Sequence, residues 1–140
     1  MKARMSKALT VILERDDGEF WGRIEAPDFL HVTQGATVAI VTKNLRDLVA
    51  DSLEHELKDK PEWQGVTADT IQFDYVYDLQ SFFERFKELK MTAIAERAGL
   101  NKNLLHQYVA GHKHPSEQQA KKIENAVHAL AEELRKVILA

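Results

Sequence analysis

The first apolar positions of the chain follow the alternation of a β-strand, with Leu9, Val11 and Leu13 at every second residue. An Asp-Asp-Gly segment at residues 16–18 follows, and these residue types tolerate the positive φ angles of a tight turn. A second strand-like stretch occupies residues 20–25. The chain therefore opens with a predicted β-hairpin.

One more strand, a helix and a returning strand are predicted next. A Pro-Asp pair at residues 27–28 interrupts the chain, and residues 30–33 predict a short third strand. From about residue 39 to residue 57 the apolar side chains return every three or four positions, which predicts an amphipathic helix. A polar loop leads to alternating residues 71–77, a fourth strand whose neighbour in the sheet the pattern leaves open.

A helix with Asp78 as its N-cap is predicted after this strand. Two shorter helices joined by a turn follow. Thr92 is the predicted N-cap of the first, which ends at Ala98. Gly99 suits a positive-φ residue at its end, and Asn101 can cap the second helix. The first helix of this region, which Asp78 caps, has its apolar residues at helical spacing, and these are Leu79, Phe82, Phe83, Phe86 and Leu89.

The two short helices have the pattern of a helix-turn-helix. Ala95 is small where two helices must cross closely, and apolar residues on both helices supply the faces that lock them together. The predicted core of this motif consists of Ile94, Ala95, Ala98, Gly99, Leu100, Leu105 and Tyr108.

If one face of the second helix is buried, four polar residues, Lys102, Asn103, His106 and Gln107, project outward. These side chains can read base edges in a DNA groove, although the same pattern is found on a merely solvated helix face. His112 and Lys113 are predicted to contact phosphates beside them, and Thr92 completes the predicted DNA-contacting set. A metal site at the nearby histidines would need more ligands than the sequence supplies, so no metal is predicted.

The last helix is predicted to begin with a capping box, in which Ser116 caps and Gln119 reaches back. The first part of its apolar seam should close the helix-turn-helix core. The remainder either pairs with a second subunit, giving a homodimer or higher oligomer, or packs on its own chain. The seam comprises Ile123, Val127, Leu130, Leu134 and Val137.

The charge divides unevenly along the 140 residues. Residues 1–78 carry 9 basic and 15 acidic side chains, whereas residues 90–140 carry 8 basic and 5 acidic ones. Two units of opposite charge are therefore expected, an α+β domain over residues 1–77 and an all-α domain over residues 78–140. The absence of cysteine excludes disulfide scaffolds and thiol chemistry. No apolar run approaches a membrane span and no signal-peptide core follows the start, so we expect a cytoplasmic protein without membrane association.

Enzymatic function is not expected, and neither is a cofactor. Acidic residues are numerous in the first strands, but the turn explains Asp16 and Asp17, and the outward positions of alternating strands explain Glu14 and Glu25. A ribonuclease H-like nuclease would instead need carboxylates that converge on a metal ion. No nucleophile motif or phosphate-binding loop accompanies them.

Both halves resemble known families. Residues 91–115 resemble the Xre/Cro/lambda-repressor class of helix-turn-helix. Residues 18–29, with a Gly-aromatic strand and the Pro-Asp corner, resemble the HicB antitoxins, as do the Thr-Gln-Gly-Ala-Thr segment at residues 33–37 and the helix that contains Asn44 and Leu45.

The resemblance implies a degenerate ribonuclease H-like domain followed by a lambda-repressor-like domain. It also implies an antitoxin that neutralises a small HicA-type mRNA-cleaving toxin and represses its own operon by binding operator DNA. Trp21, Arg23, Phe29 and His31 are the candidate toxin contacts, chosen for their edge and corner positions. The alternative is a stand-alone Xre-type regulator whose N-terminal domain senses a ligand or dimerises.

Overall fold

The computed structural model describes residues 6–140, which form an α+β chain with a four-stranded mixed sheet and five helices. It divides into two compact units, the first ending at Arg85 and the second spanning Phe86–Ala140. Among the described residues, no helix combines the length and apolar character that crossing a bilayer requires. The elements are β1 (Lys7–Asp16), β2 (Glu19–Glu25), β3 (Leu30–Gly35), α1 (Val38–Glu54), β4 (Ile71–Tyr77), α2 (Leu79–Arg85), α3 (Met91–Ala98), α4 (Lys102–Ala110) and α5 (Glu117–Arg135).

The sheet has the strand order β3-β2-β1-β4. β1 and β2 form the predicted hairpin, and its turn has positive φ at both Asp17 (49°) and Gly18 (77°). Positive φ at both central residues gives the primed turn whose twist matches that of paired strands. β3 pairs antiparallel with β2, whereas β4 pairs in parallel with β1 at the other side of the hairpin.

One face of the sheet packs against α1. Leu13 and Ile24 are fully buried there and meet the apolar stripe of the helix, which includes Val41 and Leu45. Gly22 lets the helix approach β2, because a Cβ at this position would collide with Val41. The helix begins one residue earlier than predicted and ends at Glu54 rather than near residue 57. Leu57 is nevertheless buried, in the turn that follows the helix.

Asp78 fixes α2 to the first unit. Its Oδ1 accepts a hydrogen bond from the Ser81 N–H at 2.8 Å, as the predicted N-cap does, and its Oδ2 accepts one from the Arg15 N–H at 2.7 Å. Glu84 of α2 also accepts a hydrogen bond from the Val38 N–H at the start of α1. The sequence boundary after residue 77 assigns α2 to the second domain, whereas in the structure α2 belongs to the unit that contains the sheet.

In the second unit, α3 packs against α4 and α5. Gly99 ends α3 with φ 71°, and the Asn101 side chain caps α4 by accepting from the Asn103 N–H at 2.7 Å, as predicted. Thr92 is not the cap of α3, because the helix starts at Met91, two residues earlier than predicted, and Lys90 takes the extended cap conformation. The buried residues of this core are Ile94, Ala95, Leu105, Tyr108, Ile123 and Ala126.

Two predictions about α5 are wrong in part. Ser116 caps the helix by accepting from the Gln119 N–H at 3.2 Å, but Gln119 Oε1 has no hydrogen-bond partner, so the reciprocal half of the capping box is not formed. The helix also ends at Arg135, before the predicted last seam residue, Val137. Leu134 and Val137 are 60% and 56% exposed, so the seam packs on its own unit only in its first part.

Candidate nucleic-acid and partner interfaces

The outward face of α4 is a continuous polar strip. Leu105 and Tyr108 are buried on one side of the helix. Because a helix advances about 100° per residue, positions i, i+1, i+4 and i+5 then share the opposite side. The four residues at these positions, all exposed as predicted, are Lys102, Asn103, His106 and Gln107.

The three-residue connection between α3 and α4 explains why this strip faces outward. Gly99 takes the left-handed conformation without a Cβ penalty, and its N–H bonds to carbonyls of the last turn of α3. Leu100 is half-buried and Asn101 caps the next helix. Ala95 is 1% exposed, and its small side chain fits the predicted close helix contact. The predicted core residues thus lie together around α3 and α4.

His112 and Lys113 lie just beyond the C-terminal end of α4, and both are exposed. Their backbone N–H groups donate to the Gln107 carbonyl at 3.0 and 3.3 Å, so the segment stays close to the last turn. Thr92 is exposed near the start of α3. In the part of the chain that the structure describes, no three histidine or carboxylate residues come together as a metal site would require.

The electrostatics of α4 follow from an acid-free stretch of the chain. Between Glu96 and Glu117 there is no Asp or Glu, while Arg97, Lys102 and Lys113 are basic. Arg97 is paired with Glu133 at 2.6 Å. Lys102 and Lys113 take part in no ion pair within residues 6–140. This acid-free stretch is visible in the sequence and is a signal that the whole-domain charge count overlooks.

A second exposed surface is the face of the sheet opposite α1. The strand register aligns one residue from each strand there, Val76, Ile12, Arg23 and Val32, in a row across all four strands. Val32 and Val76 are 50% and 53% exposed, and Trp21 lies on the same face. We call this surface the open sheet face. Its apolar row was not predicted, because it depends on the pairing of β4 with β1.

Arg23 is neutralised at the centre of the open sheet face. Its Nη1 donates to Glu14 Oε1 at 3.1 Å and its Nε donates to Glu25 Oε1 at 3.0 Å. These two carboxylates, chiefly Glu14, raise the pKa of Arg23 above its usual value. Glu14 and Glu25 therefore lie on one face, as a nuclease site would require, but the group between them is a guanidinium.

Phe29 and His31 lie on the opposite side of the sheet from Trp21 and Arg23. His31 pairs with Ile24 of β2, and its Nε2 lies 2.8 Å from the Oγ of the buried Ser52 of α1. The Phe29 ring packs 4.7 Å from the His31 ring, measured between centroids. The four candidate partner contacts are thus split between two faces, and Phe29 and His31 help to attach α1 to the sheet.

The motif residues at the corner also have structural roles. Asp28 accepts a hydrogen bond from the indole N–H of Trp63 at 2.8 Å and lies 3.4 Å from the Lys60 ammonium. The Trp63 hydrogen bond, followed by Lys60, lowers the pKa of Asp28. Thr37 caps α1 by accepting from the Ile40 N–H at 3.2 Å. Packing and capping thus account for these residues within the first unit.

Comparisons of the chain with protein-family models, with curated proteins and with solved structures found no significant match. The geometry of α4 and of the open sheet face is therefore what bears on function. One surface is polar and basic, and the other is apolar around a neutralised arginine.

Proposed function

We propose that the chain is a DNA-binding antitoxin of the HicB type. Its second unit, a lambda-repressor-like helix-turn-helix, binds operator DNA and represses its own operon. Its first unit, a degenerate ribonuclease H-like domain, binds a small basic RNA-cleaving toxin in the cytoplasm. The observation that carries the proposal is the exposed strip on α4, free of acidic residues and set after a three-residue turn.

The strip fits the chemistry of the major groove, which is about 12 Å wide and admits one α-helix. Asn103 and Gln107 offer paired donor and acceptor atoms suited to adenine, and Lys102 suits guanine or phosphate. Lys113 lies beyond the other end of the helix, where a phosphate contact would fix the position of α4 without reading sequence.

A homodimer is part of the proposal, because two such helices read half-sites that lie about 34 Å apart. The exposed apolar side chains near the end of α5 and just beyond it offer a surface for a second copy. Leu134 is 60% exposed, and Ile138 is 93% exposed. Buried in a dimer, these groups would be removed from water.

Gel-shift titration of the full chain with the DNA upstream of its own reading frame tests the DNA-binding part. Lys102→Ala and Gln107→Ala should each weaken binding about tenfold while the circular dichroism spectrum is unchanged. Gln118→Ala, an exposed substitution in α5, is the matched control. Unchanged affinity in both α4 variants would show that α4 is not the reading helix.

We propose that the toxin contacts the open sheet face, whose apolar row is exposed, and the charge of this unit supports the proposal. The unit ending at Arg85 carries 10 basic and 16 acidic side chains, a net charge of -6 that suits a basic RNA-binding protein. Co-expression with the product of a neighbouring small basic reading frame should give a stable complex and restore growth. DNA binding without any such complex would favour a stand-alone regulator instead.

A further inference from the structure

The first unit contains an open cleft that neither the DNA-binding strip nor the open sheet face uses. Its volume is about 410 Å³, within the range of roughly 300–1,000 Å³ that small-molecule sites occupy. It lies between α1, the start of β4 and the single helical turn that precedes this strand. The cleft is lined by Arg46, Val49, Ala68, Asp69, Ile71 and Phe73.

The apolar lining comes from the edge of the core. Val49 is 1% exposed, and Ile71 and Phe73, in the first half of β4, are half-buried against the core. These three side chains present hydrocarbon and one aromatic ring to the cleft. They would take an apolar group of a ligand out of water, which is favourable in proportion to the area buried.

Arg46 is a positioned cation on this lining. Its Nη2 donates to the phenolic oxygen of Tyr75 at 2.9 Å, and its guanidinium carbon lies 5.5 Å from the centroid of the Phe73 ring. A guanidinium has five N–H donors, so donors remain for a ligand carboxylate. The fork of these donors matches a carboxylate in two parallel hydrogen bonds.

Asp69 is the anion on the same lining. It lies in a helical turn braced by Thr67 and Thr70, whose side chains and backbones hydrogen-bond to each other reciprocally. Within residues 6–140 the Asp69 carboxylate forms no hydrogen bond or ion pair with another side chain, and it is not paired with Arg46. The cleft therefore combines one unpaired acid, one arginine and an apolar surface.

We propose that this cleft binds a free α-amino acid with an apolar side chain. Arg46 would bind the carboxylate, Asp69 the ammonium group, and Val49, Ile71 and Phe73 the side chain. A ligand with only one charge would form only one of the two ion pairs, which favours amino acids over simple acids and amines. The site is independent of DNA or toxin binding, so its failure would leave the proposed function intact.

The test is titration of the ¹⁵N-labelled full chain with L-phenylalanine and L-leucine, followed by NMR. We expect saturable shifts of the Val49, Ala68, Ile71 and Phe73 amides at millimolar ligand or below. Glycine lacks the apolar side chain and should cause none. 3-Phenylpropionate lacks the ammonium group and phenethylamine lacks the carboxylate, and both should bind about tenfold more weakly than phenylalanine.

Two charge-removing variants test separately the binding of the carboxylate by Arg46 and of the ammonium group by Asp69. Arg46→Gln should weaken phenylalanine binding about tenfold without changing phenethylamine binding, and Asp69→Asn should do so without changing phenylpropionate binding. Lys43→Gln, one turn earlier on the same helix and outside the cleft, should change nothing. Ala68→Leu, at an exposed position, should fill the cleft and block binding in a folded protein. Absence of saturable shifts, or equal phenylalanine binding by all variants, would overturn the proposal.

Discussion

The open sheet face and the outward strip of α4 differ in whether their basic side chains are paired. On the open sheet face, Arg23 is neutralised by two carboxylates and lies between Val32 and the apolar residues of β1 and β4. On α4, the lysine is unpaired and no acidic residue lies nearby in the chain. On the open sheet face the arginine is held in ion pairs within the surface, whereas the lysine of α4 is available to a partner.

This difference separates two kinds of recognition. A surface with exposed apolar side chains around a paired arginine gains by losing water against a protein. A surface with unpaired basic and amide side chains gains by replacing counterions at a phosphate backbone and by hydrogen-bonding to bases. The contrast is sharper than the net charges of the two units suggest, because it lies in the local pairing of each charge.

Salt should separate the two interactions most strongly. If about four phosphates are contacted, affinity for operator DNA should fall about a hundredfold between about 50 and 200 mM salt. Binding of the protein partner should change by less than about tenfold, because salt only screens the attraction between two proteins, whereas DNA binding also releases condensed counterions. Fluorescence anisotropy for DNA and calorimetry for the protein complex measure the two slopes. Equal slopes would contradict the contrast.

Gly22→Ala should damage only the surface that depends on the sheet. The new methyl group would meet Val41 and would lie 3.0 Å from Leu45 and 3.1 Å from Leu13, so we expect a loss of about 1–3 kcal/mol in the stability of the first unit. Urea unfolding measures this loss. Thr10→Ala, in β1 at an exposed position, is the control. Operator affinity should not change, and a parallel loss of DNA binding would show that the two functions are coupled.

Val32→Asp should weaken protein-partner binding about tenfold, because it replaces an apolar side chain at the β3 end of the row with a third carboxylate beside Arg23. DNA binding should be unaffected. Ala39→Asp puts the same charge at an exposed position of α1 and should have no effect on either interaction. Pull-down and calorimetry against the partner measure the change, and a wild-type affinity for Val32→Asp would place the interface elsewhere.

Lys113→Ala should weaken binding to operator and to scrambled DNA by the same factor, about threefold to fivefold, and should reduce the salt slope by about one. Gln107→Ala should instead reduce the preference for operator over scrambled DNA. Lys136→Ala, at an exposed position beyond α5, is the control. A loss confined to the operator in Lys113→Ala would mean that this side chain reads bases.

The smallest effect concerns pH and the first unit alone. The pKa of Asp28 is lowered from 3.8 in the folded state by the Trp63 hydrogen bond and by Lys60. Its stabilising contribution is therefore present above pH 3.8 and is lost as the pH falls through the lower folded value. Asp28→Asn should make urea unfolding of this unit less dependent on pH in that window. Asp47→Asn is the control, and an unchanged pH profile would show that Asp28 contributes nothing.

Local signals in the sequence predicted most of the elements. Asp17 and Gly18 form the turn of the hairpin because their own backbone preferences suit it, and Gly99 and Asn101 end and begin helices for the same reason. The prediction of Thr92 as the cap of α3 was wrong, because the cap is the residue with the extended backbone, and Lys90, two residues earlier, adopts it.

Features that depend on contacts between residues far apart in the chain could not be predicted from the sequence. The pairing of β4 with β1 decides which residues form the apolar row, and nothing near Val76 indicates its neighbour. Apolar residues of α2 would suit either unit, and the hydrogen bonds of Asp78 and Glu84 in the structure show that the helix packs on the first. The outward strip of α4 was predictable because helical periodicity alone determines it. The face on which each candidate partner contact lies was not predictable, because His31 points toward α1 and the Phe29 ring packs against it.

The parallel pairing of β1 with β4 also has a kinetic consequence. It joins residues that are far apart in the chain, as Lys7 and Ile71 are, so loop closure makes it a slow step compared with the local contacts of α3 and α4. The row that ends at Val76 is complete only when this last strand has docked. Competence to bind a protein partner would therefore signal that the first unit has finished folding, and a nascent chain lacking β4 would present only part of the surface.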